Sequence, residues 1–87
     1  MSRKVLTPGV KYLNMMRTAA MEAYFVDSRR KTLKGRHDAR ERWMARYLDL
    51  RAEYQAAGGD MAWLARHEAV GLWGWVSFDV RPWVASR

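Results

Sequence analysis

Eighty-seven residues, 49% of them hydrophobic and 29% charged, describe one small globular domain rather than a disordered tail or a multidomain chain. The absence of cysteine excludes disulfide scaffolds and thiolate metal sites, and no apolar stretch approaches the ~20 residues a membrane-spanning helix needs. Sixteen Lys and Arg against nine Asp and Glu give a net charge of +7, which points to an acidic partner.

The opening residues, with Arg3 and Lys4 among them, are too polar for a secretory leader, so a cytoplasmic location is expected, the host cytoplasm if the chain is phage-encoded. Thr7 and Pro8 then form a helix-start signal, a hydroxyl at the N-cap followed by a proline whose missing N–H costs nothing there. From this point Tyr12, Leu13, Met16, Ala19, Ala20, Ala23 and Val26 recur at spacings of three and four, the period of one helix face. Met15, Met21 and Phe25 fall on other sides, so this first helix, over about residues 8–30, is apolar around much of its girth. Gly35 is read as its stop signal.

A second helix is predicted over about residues 37–57, with Trp43, Tyr47, Leu50 and Tyr54 on one stripe and Met44 and Leu48 widening it. Asp38 is placed to cap its first turn or to pair with Arg42. Gly58 and Gly59 end it, and Asp60 caps a short third helix carrying Met61, Trp63 and Leu64, closed by Gly71. Trp43 and Trp63, lying on helical stripes, are expected in the core.

The period then changes. Leu72, Gly74, Val76, Phe78 and Val80 alternate with Trp73, Trp75, Ser77, Asp79 and Arg81, which predicts one strand over residues 72–80 stopped by Pro82. A continued helix is the rival, but Gly71 and Gly74 oppose it at ~1 kcal/mol each. The fold class expected is therefore mainly α: two long helices in a hairpin, a short third helix, and a Trp-rich extended C-terminal segment.

Two features carry the functional reading. Between residues 29 and 46 lie eight cations against only Asp38 and Glu41, leaving +6 of the chain's +7 at the turn between the long helices. Arg29, Arg30, Lys31, Lys34, Arg36 and Arg40 are the candidate partner-binding residues of this basic corner, with a solvated, solubilising corner as the plain alternative. Trp73, Trp75 and Trp83, three of the five tryptophans, are the candidate aromatic anchor. Trp73 and Trp75 share the strand face opposite Leu72, Val76, Phe78 and Val80 and are expected to need covering by a partner.

Nothing in the sequence suggests catalysis. His67-Glu68 begins a zinc-protease pattern, but Gly71 stands where the second histidine belongs. No serine sits in a nucleophile elbow, no glycine-rich phosphate loop is present, and no metal or cofactor is expected. Helix-turn-helix, zinc-finger, RNA-recognition and KH patterns are also missing. The expected function is that of a non-enzymatic basic binding protein. Its size and lack of motifs suit an accessory protein of a phage or mobile element that inhibits a host complex, for example a CRISPR effector or RNA polymerase. Expected partners are an acidic protein surface or a nucleoprotein complex, with no membrane. The alternative is nucleic acid held by its phosphates, and a second copy pairing on the strand edge is a further expectation.

Overall fold

The fold comes from a computed structural model that describes residues 9–86. It is mainly α, with 76% of these residues helical. In chain order come α1 (Val10–Arg29), α2 (Leu33–Ala56), α3 (Met61–Val70), β1 (Leu72–Trp73), β2 (Val76–Ser77) and α4 (Arg81–Ala85).

The two long helices form an antiparallel hairpin. Gly9, at the start of α1, lies against the ring of Tyr54 near the end of α2. At the other end Arg40 of α2 binds Ala23 and Asp27 of α1. Met16, Ala19, Ala20, Ala23 and Val26 of α1 are buried, as the helical spacing predicts. The alanines in this stripe leave room for the larger Met44, Tyr47, Leu50 and Tyr54 of α2. Thr7 and Pro8, the predicted start signal, lie outside the described residues; the described N-cap is Gly9, whose carbonyl accepts from the Tyr12 N–H at 2.9 Å.

Gly35 does not stop the first helix. Arg30 does, by turning extended (φ −115°, ψ 138°), and α2 begins four residues before its predicted start. Thr32 caps it, its hydroxyl accepting the Gly35 N–H at 3.0 Å. In a helix's first turn the N–H groups lack intrahelical partners, so a threonine cap decides the boundary and outweighs a glycine inside it. Asp38 consequently sits a full turn into α2 and pairs with Lys34 at 2.7 Å rather than capping the helix or meeting Arg42. Asp60 and Gly71 bound α3 as expected, Asp60 accepting the Trp63 N–H at 2.9 Å.

The single strand over residues 72–80 is corrected to a tight hairpin. Leu72 pairs with Ser77 and Trp73 with Val76, leaving Gly74 and Trp75 as a two-residue turn. Gly74 has φ 65° and no non-glycine residue among those described has positive φ. This is the pattern of a type II′ turn, which matches the twist of antiparallel strands. The segment thus pairs with itself through these two residue pairs rather than standing as a lone strand. Pro82 then stands in the first turn of α4, where its fixed φ favours a helix.

The hairpin and α4 cross the helical pair and complete its core with Trp73, Val76 and Val80. The shorter α3 is fastened by polar bonds as well as by Leu64. Glu68, only 3% exposed, accepts the Tyr47 hydroxyl at 2.5 Å and two bonds from the Arg51 guanidinium at 2.9 and 3.1 Å.

Burial, and next the hydrogen bond to Glu68, push the Tyr47 hydroxyl far above its ordinary value of 10.0. The unfolded chain therefore sheds this proton near pH 10 while the folded chain keeps it. Since the unfolded state then binds fewer protons, the stability contribution is complete below that pH and declines as pH rises further. Resistance to urea should decline as pH rises above 10, and Tyr47→Phe should flatten the decline. An unchanged slope in Tyr47→Phe would assign the titration to another group.

Candidate binding surface

The basic corner is built where α1 ends and α2 begins. The three-residue connector is held shut by Arg36, whose Nε donates to the Arg30 carbonyl at 3.0 Å. Of the six predicted corner residues, three are engaged with carboxylates. Arg29 pairs with Glu22 and lies 5.4 Å from the Phe25 ring centroid. Lys34 holds Asp38, and this bond lowers the Asp38 carboxyl below the usual range. Arg40 spans the helices, donating to the Ala23 carbonyl at 3.2 Å and to Asp27 at 2.9 Å. That leaves Arg30, Lys31 and Arg36, which meet no carboxylate among the described residues. The corner available to a partner is therefore narrower than the sequence implies and centred on the connector.

The three candidate anchor tryptophans separate. Trp73 is 1% exposed, edge-on to Tyr47 at 5.4 Å, with its indole N–H donating to the Phe78 carbonyl at 2.8 Å. It is a core residue with almost no surface, contrary to its predicted place beside Trp75. Trp75, at the tip of the turn, is 72% exposed and leans on Phe25 at 5.2 Å. Leu72, expected to face the helices, is instead 50% exposed. The turn at Gly74 explains all three placements, because the alternation of faces does not carry through it. Trp83 is half-buried in α4, stacked on Phe78 at 5.5 Å, and donates to Glu41 at 2.6 Å. Trp63, expected in the core, is exposed and stacked on His67 at 5.1 Å, while Trp43 is half-buried against the core.

Phe25 is the ridge between two adjoining grooves. The larger, about 540 Å3, is lined by Tyr24, Phe25, Arg40, Phe78 and Trp83, with Asp27 on its wall. The smaller, about 290 Å3, is lined by Met21, Phe25, Arg29 and Trp75, with Glu22 on its wall. Sequence spacing did not single out Tyr24 and Phe25 as site residues. The available signal was their adjacency: neighbours on a helix point about 100° apart, so two bulky rings in a row cannot both reach one core.

No group of three metal-ligating side chains occurs among the described residues. His67 is enclosed by rings, stacked on Trp63 and edge-on to Trp73 at 4.7 Å. No helix among the described residues is long and apolar enough to cross a membrane. The surface thus combines exposed rings, grooves of side-chain size and cations at one end. Comparison of the chain with known protein families, curated proteins and solved structures gives no match.

Proposed function

We propose that this chain is a non-enzymatic binding protein that docks on an acidic surface of a host protein or nucleoprotein complex and inhibits or modulates it, as small accessory proteins of phages and mobile elements do. The observation that carries the reading is Trp75. A tryptophan left 72% exposed at the tip of a well-formed turn, continuous with Tyr24 and Phe25, has the composition of an interface hot spot. The cations of the connector lie beyond the end of the same helix and supply electrostatic complementarity to an acidic partner.

Nucleic acid is the weaker reading. Arg81, which the sequence places near the tryptophans, is committed to Asp79 through two charged bonds at 2.9 and 3.1 Å. Both grooves also carry a carboxylate on their walls. The test is affinity capture from host lysate with and without nuclease, repeated with Trp75→Ser and with the pair Arg30→Glu and Lys31→Glu. A protein partner should survive nuclease and be lost in both variants. Capture abolished by nuclease, with log affinity falling against log salt at roughly −0.9 per phosphate neutralised, would instead make the chain a phosphate-backbone binder.

A further inference from the structure

We infer that the groove beside Phe25 and the unpaired cations of the connector act as one two-part receptor for an acidic peptide segment: an apolar side chain enters the groove and carboxylates a few residues further on meet Arg30, Lys31 and Arg36. This rests on the protein-binding function proposed above and names the chemistry of the partner. The groove suits an apolar occupant because its walls are rings and its two charged groups are already spent on each other. Arg40 donates to both Asp27 and the Ala23 carbonyl, so neither side chain solicits a polar ligand. Its volume of about 540 Å3 accepts one large side chain with its flanking backbone.

The cations specify what lies next to that anchor. Phe25 and Arg30 are five positions apart along the chain, close to 7.5 Å at a rise of ~1.5 Å per residue. An extended peptide advances ~3.3 Å per residue, so acids two to four residues from the anchor reach the connector. Arginine forks pair with carboxylates through two parallel bonds, which suits Arg30. A phosphodiester chain is charged along its whole length and would have to lay phosphates against these ring walls, whereas a peptide can confine its charge to one end.

The test uses the whole chain, isotope-labelled, titrated with a synthetic peptide carrying one phenylalanine and three glutamates that begin two residues after it. The indole N–H signals give separate readouts. That of Trp83, which lines the groove, should shift on binding, while that of Trp73, buried and bonded to the Phe78 carbonyl, should stay. Replacing the peptide's phenylalanine by serine, or combining Arg30→Glu with Lys31→Glu in the protein, should each weaken binding about tenfold or more. Both protein substitutions are at exposed positions, so circular dichroism should be unchanged. If no indole shifts, or if a peptide with its glutamates moved far from the phenylalanine binds equally well, the two-part receptor is wrong. Should that occur while nuclease-resistant capture still depends on Trp75, the protein-binding function stands without it. An oligothymidylate of equal charge shifting the same indole more strongly would overturn both.

Discussion

Trp73→Ala is expected to remove a large share of this protein's stability, whereas Trp75→Ala, two residues away, should leave it nearly as stable as the parent. Truncating a fully buried tryptophan costs about 3–5 kcal/mol through lost transfer energy and the cavity left behind. A domain of this size has on the order of 5–10 kcal/mol in total and sits at the low end of what a single core supplies. The variant also leaves the Phe78 carbonyl without its indole donor. Trp75 is mostly in water, so its replacement should change stability by about 0.5 kcal/mol or less. Urea unfolding followed by circular dichroism separates the two. Equal midpoints for both variants would mean that the indoles share one environment and that the turn at Gly74 is misplaced.

The second large effect is expected at Glu68. Its carboxylate joins Tyr47 and Arg51 of α2 to α3, and it is the only buried charged side chain among the described residues. Glu68→Ala leaves the buried Tyr47 hydroxyl without its acceptor and the half-buried Arg51 guanidinium without its partner, for a loss of about 2–4 kcal/mol. Glu68→Gln retains an acceptor for Tyr47 but not the charge opposite Arg51, and should fall between the parent and Glu68→Ala. Identical urea midpoints for parent and Glu68→Ala would show that α3 is held by Leu64 and its neighbours alone.

Helical periodicity was legible because it survives any choice of partner. The stripe through Met16, Ala19, Ala20 and Ala23 faces inward whatever covers it. Asp60 and Gly71 were equally legible, as both act on adjacent backbone groups. The errors came where two local rules compete over a few residues. At residues 32–35, a threonine cap overrode a glycine read as a stop. At residues 72–77, alternation suggested a strand while Gly74 encoded the turn that divides it, and Trp73 changed from presumed anchor to core. Glu68 was invisible for another reason. A buried carboxylate is specified by tyrosine and arginine 21 and 17 positions away, and no spacing within α3 announces them. The basic corner lay in between: its location followed from charge counting, but which cations are already paired depends on Glu22, Asp27 and Asp38 meeting them in space.

The crossing of the helical pair by residues 72–84 also sets the order in which this protein can mature during its synthesis. When residue 60 has been made, the α1 and α2 sequences are both present, yet Met16, Ala20, Met44 and Tyr47 still lack Trp73, Val76 and Val80. A nascent or prematurely terminated chain at that stage carries an apolar face with nothing of its own to cover it. Such a species is prone to aggregate and is a substrate for chaperones and proteases. Messages truncated anywhere before Val80 should therefore yield little surviving polypeptide, so a cell would accumulate either the finished domain or almost none of it.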